Sequence, residues 1–136
     1  MHITRRVRFS AAHKLFNKNW SDKKNEDVFG QCANPNWHGH NYELFVSIKG
    51  NVNPETGFVI NLHEVSKIID EFITKKVDHK NLNLDVDFLK GKITSTEVIA
   101  IEFWKQLEKP IKKLGAKLYC VKLIETENNY VEYFGT

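Results

Sequence analysis

His38-Gly39-His40 is the pattern in this sequence that most directly implies chemistry. Residues two apart on a strand project to the same face. The run from His38 to Lys49 alternates as a strand does, with His38, His40, Tyr42, Leu44, Val46 and Ile48 on one apolar side. An earlier run, from about Ile3 to His13, alternates in the same way and puts Val7, Phe9, Ala11 and His13 on its buried side. If these strands pair antiparallel, the end of the first lies beside the start of the second, and three imidazoles converge. Three neutral nitrogen ligands with a fourth position open make a catalytic zinc arrangement, whereas closed structural sites use four protein ligands and usually cysteines. A single buried histidine is more often a hydrogen-bonded core residue than a ligand; the convergence favours a metal. His2 and His63 have no such company and read as a terminal residue and a polar position near a helix start.

Three further groups could act beside a metal. Cys32 stands in a polar stretch with Gln31, Asn34 and Asn36, out of place for a residue type that prefers burial. Beside a bound cation its thiolate form is favoured, as a reactive group or as a ligand itself. Asp78-His79 follows a helical pattern and reads either as a polar helix terminus or as an acid–base pair oriented by the aspartate. Glu125 closes the apolar face of a late strand; it is either solvated at the strand end or the acceptor for paired N–H donors of a bound heterocycle. Cys120 lies between apolar neighbours and reads as core.

The elements that must position these groups follow from periodicity. Lys14 to Trp37 shows no clear period and reads as a long loop, a type that is often functional. A helix starts near Asn61 and runs to about Val77, with Leu62, Val65, Ile68, Ile69, Phe72 and Ile73 as its stripe and Asn61 with Glu64 as a capping box. A second helix follows Thr94, which pairs with Glu97 in the same way, and Pro110 marks its end. Its apolar residues spread around the axis, which suggests burial on more than one side. Lys117–Glu125 and Tyr130–Phe134 are two more strands, with Tyr119, Val121 and Leu123 on one face of the first and a turn at Asn128-Asn129 between them. The order ββααββ predicts an α+β domain over residues 1–136, a four-stranded antiparallel sheet with both helices on one face. So much apolar sheet surface suggests oligomerisation.

The totals set outer bounds. The chain has 136 residues, enough for one core, and a net charge of +3, too small to argue for nucleic acid. Its aromatics lie on buried strand faces rather than among lysines, which also argues against a nucleic-acid module. Arg5, Arg6 and Arg8 read as a solvated face. No apolar run is long enough to span a bilayer, and the first residues lack the apolar stretch of a secretory leader. Two distant cysteines do not make a disulfide framework, so a cytoplasmic setting is expected.

Several segments together resemble the 6-pyruvoyl-tetrahydropterin synthase family. They are Phe9-Ser10-Ala11-Ala12-His13, Val28-Phe29-Gly30-Gln31-Cys32, Asn34-Pro35-Asn36, His38-Gly39-His40-Asn41-Tyr42, Gly57 to Leu62, Asp78 to Val86, Ser95-Thr96-Glu97 and Glu125 to Asn129. The resemblance covers essentially the whole chain. It implies that His13, His38 and His40 bind Zn2+, and that Cys32 takes a proton from the substrate side chain. It implies that Asp78 and His79 assist from a neighbouring subunit. It further implies that Glu125 anchors the pterin ring, with Thr96 and Glu97 in contact with it. The implied reaction eliminates triphosphate from 7,8-dihydroneopterin triphosphate, giving 6-pyruvoyl-tetrahydropterin for tetrahydrobiopterin biosynthesis. The implied fold is the tunnelling fold, whose sheets join across subunits into a barrel, usually a homohexamer built as a dimer of trimers. A sister enzyme makes 6-carboxy-tetrahydropterin for deazapurine biosynthesis and typically has a shorter interval between its cysteine and His-Gly-His. Here Ala33, Asn34, Pro35, Asn36 and Trp37 intervene, a spacing similar to the pyruvoyl-forming enzyme, although Trp37 replaces the small residue expected before His38. A zinc-stabilised binding module without catalysis is the alternative of a different class, and chelation separates it: unfolding marks a structural metal.

Overall fold

The computed structural model describes all residues, 1–136. β1 (His2–His13) and β2 (His38–Lys49) pair antiparallel along their full lengths. The register sets His13 opposite His38, Ala11 opposite His40 and Phe9 opposite Tyr42. β4 (Lys117–Thr126) pairs with β2, and β5 (Asn129–Tyr133) pairs with β4, both antiparallel. The expected four strands are therefore present, but the sheet has a fifth. β3 (Lys80–Asn81) runs parallel to β1, so the sheet is mixed, in the order β3-β1-β2-β4-β5. After Val77 the chain turns back along the free edge of β1, where the Ser10 and Ala12 carbonyls accept from the N–H groups of His79 and Leu82. A two-residue strand of this kind satisfies edge backbone groups and carries no alternation of its own.

Lys14 to Trp37 is not structureless. It holds α1 (Asp22–Phe29), capped by Ser21, whose side chain accepts from Lys24 N–H, and a 3-10 turn over Gly30–Ala33. Asn25 fixes this segment: its amide donates to the carbonyls of Asn17 and Ser21, and its Oδ1 accepts from Asn17 N–H.

The first long helical run has the expected limits, α2 (Leu62–Ile69) and α3 (Lys75–Val77) joined by a π-helical turn at Asp70–Thr74. Val65, Ile69, Ile73 and Val77 are all fully buried. Residues every four drift around an α-helix, and the wider π turn compensates that drift and keeps the four on one line. Asn61 caps α2 through His63 N–H, not as half of a box with Glu64. For α4 (Thr96–Lys113) the cap is Ser95, which accepts from Val98 N–H; Thr94 is engaged elsewhere. The helix continues three residues past Pro110 rather than ending there.

Both long helices cover one face of the sheet, and a single cluster of 22 buried residues lies between the layers. Ile99, Ala100, Phe103, Trp104, Leu107 and Ile111 of α4 belong to it, so its broad apolar surface is buried within the chain. A β-bulge between Ser47 and Ile48 shifts the pairing with β4. It brings Leu118 to the core face with Val121 and Leu123 and turns Tyr119 away. Cys120 is buried as expected, but under the opposite face, lining a hollow with Ser47, Tyr119 and Phe134. No helix is long and apolar enough to cross a membrane.

Candidate active site and metal centre

The antiparallel register does what the alternation predicts. His13, His38 and His40 form a triangle of rings with centroid separations of 4.5, 5.2 and 5.0 Å. One ligand atom from each lies within 4.8 Å of the others. Gly39 keeps the strands close here, since a Cβ at that position would meet the Ala11 carbonyl oxygen at 3.3 Å.

His13 is 1% exposed, and its Nδ1 donates to the Thr94 carbonyl at 2.8 Å. That bond fixes the tautomer and leaves the Nε2 lone pair facing the cluster. Burial, aided by the neighbouring imidazoles, lowers the His13 pKa to about 4. Burial also lowers that of His38, with His40 adding to the effect. Both rings are therefore neutral near pH 7, the form that binds a metal. His38 Nδ1 and His40 Nε2 are buried with no hydrogen-bond partner. Buried polar atoms left unpaired need an explanation, and a cation held among three ring nitrogens supplies one. The donor set fits Zn2+ with a fourth position free.

The support for His13 extends through a second set of residues. Thr94 is fully buried, and its hydroxyl donates to the Lys14 carbonyl and to Asn83 Oδ1. Asn83 clamps Lys14 from the side, its Oδ1 accepting from Lys14 N–H and its Nδ2 donating to the Lys14 carbonyl. Partners of this kind orient metal ligands, and their loss typically weakens binding tenfold or more. Asn83→Ala is expected to raise the Kd for Zn2+ about tenfold, measured by competition with a chromogenic chelator. An unchanged Kd would show that the clamp serves the fold alone.

The depressed His13 pKa also predicts a pH dependence. Between pH 6.5 and about 4 the unfolded chain binds a proton that the folded chain refuses. Stability from this group is therefore complete above pH 6.5 and is lost as pH falls toward 4, on the order of 3 kcal/mol in all. Urea unfolding of the metal-free protein at pH 7 and pH 5 checks this, with His13→Gln expected to show a shallower fall.

Glu125 is not merely solvated at its strand end. Thr96 donates to its Oε2 at 2.7 Å. Its two oxygens stand 3.8 Å from His13 Nε2 and 3.8 Å from His40 Nε2. Thr96, Glu97 and Glu125 line a cleft of about 410 Å³ with Leu15 and the β4–β5 turn. The carboxylate thus stands between the imidazoles and an open cleft. Cys32, on the 3-10 turn, is half-buried, and its carbonyl accepts from Leu15 N–H at 2.7 Å. Tyr42 lies beneath the cluster, its hydroxyl 3.4 Å from His13 Nε2. Burial pushes this phenol strongly upward, and nearby Glu125 and Cys32 add to the effect.

Asp78 and His79 do not join this group within one chain. They are pinned to the β1 edge, where Asp78 Oδ1 accepts from Ser10 N–H at 2.9 Å and His79 N–H donates to the Ser10 carbonyl. The Ser10 N–H bond, followed by His79, holds the Asp78 pKa below its usual value. Its carboxylate lies 3.0 Å from His79 Nδ1. His79 is largely exposed and helps line a hollow of about 500 Å³ with Ser10, Ala12, Gly39 and Asn41, on the sheet face away from the core. His79 and Trp37 are the two non-glycine residues with positive φ, at 58° and 69°. Such backbone is uncommon for bulky residues and clusters at functional sites. Trp37 directly precedes His38, and the Lys14 ammonium lies 4.5 Å from its ring centroid, joining the residues that flank two of the imidazoles.

The sequence model of 6-pyruvoyl tetrahydropterin synthase matches residues 2–136. The chain belongs to the 6-pyruvoyl tetrahydropterin synthase family. It is 44% identical over 133 residues to the 6-pyruvoyl tetrahydrobiopterin synthase of Homo sapiens, covering 98% of this chain and 90% of that protein. It is 45% identical over 133 residues to the protein of the same name from Dictyostelium discoideum, covering 98% and 95%. The structure of Caenorhabditis elegans 6-pyruvoyl tetrahydropterin synthase superposes with a TM-score of 0.94 at 36% identity, covering 100% of this chain and 96% of that one. A 6-carboxy-5,6,7,8-tetrahydropterin synthase from Bacillus subtilis is also similar, at 27% identity over 109 residues, covering 76% and 70%.

Within this 6-pyruvoyl tetrahydropterin synthase family member, sequence reasoning missed Tyr42, Thr94 and Asn83. Tyr42 reads as one more apolar residue of an alternating strand. Thr94 reads as a helix cap, and Asn83 as a loop residue. The signal that could have found Asn83 is its place in the run Asp78 to Val86, which is too polar for packing alone.

Proposed function

We propose that this protein is a zinc-dependent lyase that converts 7,8-dihydroneopterin triphosphate to 6-pyruvoyl-tetrahydropterin and triphosphate. The observation that carries the reading is the three-imidazole cluster with Glu125 3.8 Å away, at the mouth of a cleft. The relatives named 6-pyruvoyl tetrahydrobiopterin synthase support it. Zn2+ held by His13, His38 and His40 supplies Lewis acidity that acidifies the C–H bonds beside the substrate's side-chain oxygens.

The chain's own residues do the rest. Glu125 accepts the paired N–H donors of the pterin ring, its Oε2 already oriented by Thr96, and Glu97 borders the same cleft. Cys32 removes the side-chain proton as general base. The C–O bond to triphosphate breaks, and tautomerisation moves two electrons from the side chain into the ring, so no external reductant enters. Asp78 and His79 carry the proton onward. Because they are pinned to the Ser10 edge of β1 and pair with each other rather than with Cys32, we infer that they come from a second copy of the chain. The assembly this implies is a homo-oligomer whose sheets join into a barrel, with a dimer of trimers as the expected form. The free thiols Cys32 and Cys120 fit a reducing, cytosolic setting.

The alternative product is 6-carboxy-tetrahydropterin. Five residues between Cys32 and His38 and the lower identity to the carboxy-forming relative favour the pyruvoyl product. Incubation of zinc-loaded protein with dihydroneopterin triphosphate, followed by mass analysis, tests this. The mass of 6-pyruvoyl-tetrahydropterin with one triphosphate released per turnover is expected; the carboxy mass would transfer the protein to the sister activity.

A further inference from the structure

Trp37 makes the corner into β2, one residue before His38. It does so at φ 69°, in left-handed backbone that a bulky side chain rarely adopts. The ring is half-buried and takes no part in the 22-residue core, so core packing does not account for it. A conformation of this kind persists only where the surroundings over-determine it. Those surroundings can be named. The Cys32 carbonyl accepts from Leu15 N–H, Asn34 N–H donates to the Gln31 carbonyl, and Trp37 N–H donates to the Asn34 carbonyl at 3.2 Å. The stretch from Gln31 to Trp37 is thus a run of tight turns anchored at Cys32, and Trp37 is its last corner before the first imidazole of β2.

The indole anchors the other end. The Lys14 ammonium lies 4.5 Å from its ring centroid and 5.0 Å from that of Phe16, so one cation rests against two aromatic rings. Lys14 is itself fixed at its backbone, where Asn83 accepts from its N–H and donates to its carbonyl. His13 precedes Lys14 and faces His38 in the last pair of the β1–β2 ladder. Just beyond that pair, the side chains of Lys14 and Trp37 meet across the gap. We propose that Trp37 and Lys14 form a positioning pair for the metal centre. Their stack holds the left-handed corner, and the corner sets His38 at the spacing from His13 that shared coordination of one ion needs. A cation against a ring contributes modestly at a half-exposed site, but groups that orient a metal ligand weigh heavily on affinity. This inference rests on the metal centre proposed above and adds to it a residue that acts through His38.

Zinc titration against a chromogenic chelator tests this, with the melting temperature of the metal-free protein read on the same samples. Trp37→Gly removes the ring and relieves the corner. Its melting temperature is expected to stay close to wild type, because glycine adopts positive φ freely, while its Kd for Zn2+ rises about tenfold. Trp37→Phe keeps a ring face for Lys14 and is expected to stay within about threefold of the wild-type Kd. Lys14→Met keeps the stem and drops the charge. It is expected to raise the Kd about threefold in the wild-type background and to add nothing to Trp37→Gly. A Kd for Trp37→Gly within about twofold of wild type would overturn the proposal. So would a loss in Trp37→Phe as large as that in Trp37→Gly, or an equal effect of Lys14→Met in both backgrounds. A Trp37→Gly protein that does not fold would overturn it too, since the ring would then serve the fold. Wild-type protein that takes up no zinc would instead overturn the metal centre, and this inference with it.

Discussion

Cys32→Ala is expected to fold, to bind zinc and to turn over dihydroneopterin triphosphate at least about a hundredfold more slowly than wild type. The backbone at Cys32 is held without its thiol: the 3-10 turn Gly30–Ala33 closes on itself, and the Cys32 carbonyl accepts from Leu15 N–H. The side chain is only half-buried, so removing one sulfur leaves no large cavity. What is lost is the group assigned to remove the proton, and general bases typically contribute a hundredfold or more. Zinc content and melting temperature measured on the same sample separate chemistry from folding. Turnover near the wild-type rate would refute the role.

The second large effect is expected at the metal. His40→Ala weakens zinc binding about a hundredfold or more and takes turnover to background, yet the variant remains folded. His40 is the suitable position because its side chain is 18% exposed, whereas His13 is buried at the edge of the core and its loss would leave a hole. The fold is expected to survive because the 22-residue core contains none of the three histidines. The same reasoning predicts that chelation removes activity and leaves the circular dichroism of the helices unchanged. Unfolding on chelation would instead favour a structural metal in a binding module.

The parts of this molecule legible in sequence are those where one physical rule acts alone. Alternation gives both long strands, and the antiparallel assumption then brings His13 to His38, as the register has it. The helical stripe gives the run to Val77, although nothing in it announces the π turn, which depends on how four aliphatic residues meet the sheet. α1 escapes because it has no apolar stripe and is tied down by one asparagine. β3 escapes because two residues have no period. The bulge in β4 overrides simple alternation, so Leu118 and Tyr119 exchange the faces that counting assigns to them relative to Val121, while Cys120 keeps its own. Pro110 is accommodated in the last turn of α4, where little helix remains to be disrupted.

The candidate site divides along the same line. Residues that carry chemistry by type, such as His, Cys and Glu, are visible in the sequence. Residues that act through geometry are not. Thr94 serves His13 through its backbone carbonyl, which every residue has, and nothing in the alternation of β2 announces that the Tyr42 hydroxyl ends 3.4 Å from one particular nitrogen. The separation of Asp78 and His79 from Cys32 also has no sequence signal, since only the path of the chain past the β1 edge decides it.

X-ray absorption at the zinc edge of the loaded wild-type protein looks directly at the coordination on which the account depends. Three imidazole nitrogens at about 2.0–2.1 Å, one lighter oxygen or nitrogen ligand and no sulfur are predicted. A sulfur in the shell would make Cys32 a ligand rather than a base, and a spectrum of hydrated, unligated zinc would contradict the metal centre altogether.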